Sequence, residues 1–219
     1  MSVDLTRRRR RQANGETAIL RLLLAQKHVN PGIRDDFKRA PLCYAADNGH
    51  EAIVQILLAT DRVDPSARDN RERTPLWFAA QGGSIAIIQM LLATGKVDFD
   101  CEDNDGRTPL LLAAAEGAEK AAEDLLRLSR EGLVNPHMKD TCGQTPQSMA
   151  VRKGYTGIVR RLLAIEGIDL VLIDSMQNTP LMLAARNGHV EVVELLLSTR
   201  RVRIDLGDRN GLTPLMLAT

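Results

Sequence analysis

The chain is 219 residues long, 44% hydrophobic but only 3% aromatic, and its 29 basic and 28 acidic residues leave a formal net charge of +1. Such a composition builds a globular core from aliphatic side chains and excludes both a disordered chain and a globally basic nucleic-acid binder. Three scattered cysteines, Cys43, Cys101 and Cys142, form no paired spacing, and no apolar run reaches the length of a helical membrane span.

A period runs through the whole sequence. Prolines recur at Pro41, Pro75, Pro109, Pro146, Pro180 and Pro214, 34 residues apart except for 37 between Pro109 and Pro146. Six residues before each stands an aspartate (Asp35, Asp69, Asp103, Asp140, Asp174, Asp208), and eight residues after the first five stands a glycine. Thr-Pro suits a helix start, since the hydroxyl caps free amides and proline is tolerated at the first helical position. An alanine pair keeps that helix thin, and the glycine supplies the left-handed residue that ends it. A leucine-rich helix follows, and Asp with Asn or Gly then makes a tight turn. Each repeat therefore predicts helix, turn, helix and a hairpin-like loop.

In chain order, the first repeat covers residues 1–34. The register puts Thr6 on the capping threonine, Arg7 on the proline and Gly15 on the glycine. "TRRRRRQANGE" is thus expected to form the first helix of a divergent end repeat, a polar cap, with a nuclear or phosphate-binding signal as the alternative. "ETAILRLLLA" follows as its second helix. The second repeat, 35–68, places Phe37 and Arg39 at its loop tip and Asp47 at the end of its first helix. Tyr44 is expected in its core. The third, 69–102, has Arg71 and Arg73 at the tip and Gln81 at the helix end; Phe78 is expected in the core. Trp77 is open between packing and partner contact. The fourth, 103–139, has Asp105 and Arg107 at the tip and Glu116 at the helix end. Its three extra residues, in "LLRLSREGLVNP", should lengthen the second helix to about Ser129. The fifth, 140–173, carries Gln147 for leucine and Gly157 inside a helix, so it should be the softest; Arg152 and Lys153 end its first helix. The sixth, 174–207, offers Met176 and Arg186. The seventh, 208–219, stops inside its first helix, which points to a shortened cap or to a longer protein.

The segments "TPLWFAAQGG", "TPLLLAAAEG" and "TPLMLAARNGH", each followed by a leucine-rich helix, resemble ankyrin repeats. The longer link, as in "LLATGKVDFDCEDNDGRTPL", is similar to tandem arrays of fungal ankyrin proteins, where such arrays often follow a signalling or NTPase domain. The resemblance implies an all-α ankyrin-repeat solenoid, a single domain of stacked helix-turn-helix repeats. It also implies a non-catalytic scaffold that binds a protein through loop tips and the concave face of the first helices. The residues placed there by position are the tip and helix-end residues named above, with Trp77 among them.

No phosphate loop, zinc spacing or catalytic constellation is present in the sequence. His50 and His189 share one repeat position and are expected to be structural. The expectation is therefore no enzyme, no cofactor and no metal. The partner is expected to be a protein, with no membrane and with nucleic acid disfavoured, and the chain to be a monomer of cytoplasmic or nuclear location. Two alternatives stand beside it: a recognition arm of a larger enzyme or NTPase sensor, and nucleic-acid binding through the arginine run.

Overall fold

A computed structural model describes residues 16–165, 167–170 and 173–219. Among them the chain is helical throughout, with no strand. In order, the helices are α1 (residues 16–24), α2 (Pro41–Asp47), α3 (Glu51–Leu58), α4 (Pro75–Gln81), α5 (Ile85–Ala93) and α6 (Pro109–Glu116). They continue with α7 (Glu119–Ser129), α8 (Pro146–Lys153), α9 (Thr156–Leu163), α10 (Pro180–Arg186), α11 (Val190–Ser198) and α12 (Pro214–Leu217). The arginines from Arg7 to Arg11 lie outside the described residues.

Local chemistry sets these bounds. From α4 onward the first helix of each repeat begins at its proline. The preceding threonine accepts a backbone N–H three residues on, at 3.2 Å for Thr74 and Thr108 and 3.1 Å for Thr145. Thr145 also receives the reciprocal bond, its own N–H donating to Ser148 Oγ at 2.9 Å. Among the described first helices α2 alone starts without a side-chain cap, because Ala40 stands where its sisters have threonine. α7 ends at Ser129, two to three residues later in its repeat than the other second helices, as its extra sequence leads one to expect.

The described residues divide into two compact units, one of those up to Ala79 with Ala86–Val97, the other of those in Ala80–Ile85 and Asp98–Thr219. In the first unit α2 packs on α3, and Leu42, Leu57, Leu76, Phe78, Ile87 and Leu91 are fully buried. In the second, α6, α8, α10 and α12 stack as one layer and α7, α9 and α11 as another. Leu110, Leu111, Leu125, Ile158 and Leu162 fill the space between the layers. Each such side chain contributes about 1.5–3 kcal/mol by leaving water.

The glycine that ends a first helix does two jobs. Gly117 takes φ +72°, and a methyl group built on it would come within 2.6 Å of the Tyr155 ring from the next repeat. At Gly154 the intruder is His189, also at 2.6 Å. His189 Nε2 donates to the Arg152 carbonyl at 2.9 Å, so this histidine ties two repeats together. The residue after the glycine thus roofs the glycine of the repeat before at Gly83, Gly117 and Gly154, but nothing lies within 4 Å of the place a methyl would take on Gly49.

Candidate partner-binding site

All six periodic aspartates build the same turn. One carboxylate oxygen accepts the N–H of the second and the fourth following residue. The pairs are Phe37 and Arg39, Arg71 and Arg73, Asp105 and Arg107, Cys142 and Gln144, Met176 and Asn178, and Asn210 and Leu212, all between 2.8 and 3.0 Å. The third residue of each turn takes a positive φ, which Gly106, Gly143 and Gly211 supply freely and Lys38, Glu72 and Gln177 adopt at some strain. Adjacent turns are stitched by backbone bonds: Asn70 N–H to the Phe37 carbonyl at 2.9 Å in the first unit, and Thr141 N–H to the Asp105 carbonyl at 2.9 Å in the second.

The second residue of every turn is exposed: Phe37, Arg71, Asp105, Cys142, Met176 and Asn210. Its backbone is fixed and its side chain differs each time. That is a row of interchangeable positions on a constant frame.

In the first unit, four of the expected contact residues come together. Phe37, Arg39, Arg71 and Arg73 line one cleft of about 420 Å³ with Tyr44 and Asn70. Arg73 clamps Asp69 through Nε at 2.8 Å and Nη2 at 2.6 Å. Arg39 pairs with Asp47 at 3.2 Å and reaches Asp69 at 3.8 Å. Both guanidinium groups lie against the Phe78 ring, at 4.3 Å for Arg39 and 4.8 Å for Arg73. Burial pushes the Asp69 carboxyl up, but the Arg73 guanidinium and the N–H groups of Arg73 and Arg71 outweigh it and hold the carboxyl below its ordinary range.

Two aromatic expectations change. Trp77 is 2% exposed and packs edge-on to Phe78 at 5.1 Å, so it is a core residue with no surface to offer a partner. Cys43, Leu111 and Met182 occupy the same position and are equally buried. Tyr44, expected in the core, is 42% exposed. Its hydroxyl donates to Asp35 at 2.6 Å, and that bond, with the turn N–H groups, holds the Asp35 carboxyl low despite some burial. A leucine there would sink inward; a phenol turns its oxygen out to a carboxylate and takes the Arg39 guanidinium on its ring at 5.0 Å.

The remaining expected residues lie in three places. Arg107 clamps Asp103 at 2.7 Å and Asp105 at 2.8 Å, so it braces its turn. Met176 and Arg186 line a second cleft of about 310 Å³, where Arg186 pairs with Asp208 at 3.0 Å. Gln81, Glu116, Arg152 and Lys153 are exposed at the ends of their helices and join neither cleft. A third cleft, about 590 Å³ and almost wholly apolar, lies among α10, α11 and α12 around Leu181, Val193 and Leu215.

Among the described residues, no group of His, Cys, Asp and Glu is placed to hold a metal ion, and no helix is long and apolar enough to cross a membrane. Cys43 is a buried thiol whose pKa burial pushes up to about 11, which leaves it inert.

Paired helices stacked repeat on repeat, joined by turns of one design, define an α-helical repeat protein of the binding kind. The family model described as ankyrin repeats, three copies long, matches residues 12–103, 61–132, 124–206 and 173–219, and the chain belongs to that family. Ankyrin repeats are in general protein–protein interaction modules and typically non-catalytic. Comparison with curated proteins gave no match.

Proposed function

We propose that the chain is a non-catalytic scaffold that binds a protein partner through its turn tips and the exposed ends of its first helices. The observation that supports this is the turn row. Six aspartates hold six turns alike, while the exposed residue on each is phenylalanine, arginine, aspartate, cysteine, methionine or asparagine. A frame kept constant under a varied face is what recognition needs, because ordering the contact residues is already done before binding.

The test is a capture experiment with two proteins. One is the native chain; the other carries Phe37→Ser, Arg71→Ser, Asp105→Ser and Met176→Ser. These side chains are exposed, so the variant should melt within a few degrees of the native protein. Proteins retained from a lysate by the native chain and lost by the variant support the reading. The same set retained by both would overturn it.

A further inference from the structure

We infer that the cleft of the first unit takes an acidic peptide segment, with one carboxylate on Arg71 and a neighbouring apolar side chain on Phe37. The inference rests on the turn-tip reading above and gives it a ligand class. Of the six residues that line this cleft, three are arginines and none is a carboxylate. The carboxylates nearby are already committed. Asp69 is 1% exposed behind Arg73, Asp47 sits on Arg39, Asp35 is held by Tyr44, and Glu72 pairs with Arg68 at 3.3 Å. On the rim, Asp36 and Lys38 offset each other in charge. Arg71 is exposed and forms no ion pair with any described residue. The neighbouring charges balance, since Asp35 keeps its charge against a neutral phenol, but of the three arginines in the cleft only Arg71 has a guanidinium uncommitted among the described residues, and that planar group suits a carboxylate held by two parallel bonds.

The apolar half of the site is equally prepared. Phe37 is 63% exposed, yet its backbone is pinned on both sides, its N–H on Asp35 at 2.9 Å and its carbonyl on Asn70 at 2.9 Å. A large aromatic presented on fixed backbone loses little entropy when covered. Tyr44 continues the same surface and carries the Arg39 guanidinium on its ring. An extended peptide lying across the two stitched turns would meet Phe37 and Arg71 in turn.

The experiment is selection of a random-peptide library displayed on phage against the full chain. The expected winners carry Asp or Glu within two or three residues of a large apolar side chain. A synthetic winner should lose about tenfold in affinity against Arg71→Glu and against Phe37→Ser, and a similar factor when its acid is replaced by the amide. Arg209→Glu, a charge reversal in another turn, should leave its affinity unchanged. Arg71 has no ion-pair partner to lose among the described residues, so the variant keeps its fold, which its melting temperature verifies. Winners without acidic enrichment, or winners that bind Arg71→Glu as well as the native chain, overturn the inference. If the winners depend on Arg209 or Met176 instead, the inference fails and the scaffold reading stands; if no peptide is enriched, both fail. A single-stranded oligonucleotide that displaces the peptide and needs Arg71 would assign the cleft to nucleic acid and overturn the inference as well.

Discussion

Gly117 and Gly188 end their helices with nearly the same backbone, φ +72° and φ +69°. The difference between them is what lies outside: the Tyr155 ring at Gly117, and nothing within 4 Å at Gly188. Alanine at either position should cost about 1–2 kcal/mol for the left-handed backbone alone. Gly117→Ala should cost more, and the excess should vanish in a Tyr155→Ala background. Urea unfolding of the double-mutant cycle measures that coupling, and an additive result would show that the roofing contact carries no energy. Cysteine chemistry gives a second prediction at this scale. Cys142 is exposed while Cys43 and Cys101 are buried. Iodoacetamide at neutral pH should therefore label one thiol in the folded protein, at Cys142, and all three only after denaturation; mass spectrometry of the digest tells them apart. Both features were legible as glycine and cysteine positions in the period. The outward turn of Tyr44 was not, and the burial of Trp77 was left open. Which aromatic faces inward depends on whether a hydroxyl finds an acceptor, and Asp35, nine residues upstream, becomes that acceptor only once the turn has folded.

At the scale of the element, the fifth repeat is the informative exception. Gln147 replaces the leucine that fills the first layer elsewhere; it is 3% exposed, and its Nε2 has no hydrogen-bond partner among the described residues. Ser148, its neighbour, is also polar and buried but is fully used, in the capping box and toward Gln144 at 3.2 Å. The sequence marked Gln147 as out of place; only the geometry shows that it is an orphan while its polar neighbour is satisfied. Gly157 has an account as well, since Glu119 approaches the place a side chain would fill. Gln147→Leu should raise stability by about 1–3 kcal/mol, by removing an unpaired buried amide. Before that change the amides of α8 and α9 should exchange sooner than those of α6 and α7, and after it the gap should narrow. A destabilised Gln147→Leu would show that the buried amide is satisfied in the folded protein. The described helices were readable from proline, glycine and the leucine pattern, because each mark acts locally, while the helix expected over the arginine run lies outside the described residues. The proposed partner face was only half readable, because Arg39, Arg73 and Arg107 look like free charges in sequence, whereas Arg73 and Arg107 are bound to the aspartates of their own turns and Arg39 to Asp47 at the end of α2.

Across the whole molecule the shared turn has one more consequence, a common sensitivity to acid. Asp35 and Asp69 in the first unit and Asp174 and Asp208 in the second are all held below the ordinary carboxylate range. At Asp35 the Tyr44 hydroxyl is the main cause, and at Asp208 the Leu212 N–H. At Asp174 burial pushes up and the Asn178 side chain and N–H outweigh it. A carboxyl with a lowered folded pKa binds fewer protons folded than unfolded. Its contribution is therefore complete above its unfolded pKa, about 4, and is lost as the pH falls through the folded value. Asp100 runs the other way: burial, with Asp98 and Glu102 beside it, pushes its carboxyl up against the bond from the Asn135 N–H. Its contribution is present below the unfolded pKa and lost as the pH rises through the folded one, so it offsets a little of the acid loss. Four against one, the balance predicts stability that changes little between pH 7 and 5 and drops steeply below about 4. Asp69→Asn isolates one turn. At pH 7 it should cost about 1.5–3 kcal/mol, the range for hydrogen bonds to a charged group, because the Arg73 clamp loses its charge. At pH 3 the native carboxyl is itself taking up protons, so the gap between native and variant should shrink. Urea midpoints for both proteins at pH 7, 5, 4 and 3 read this directly, and a gap that stays constant across the series would show that the Asp69 charge plays no part in holding the turn.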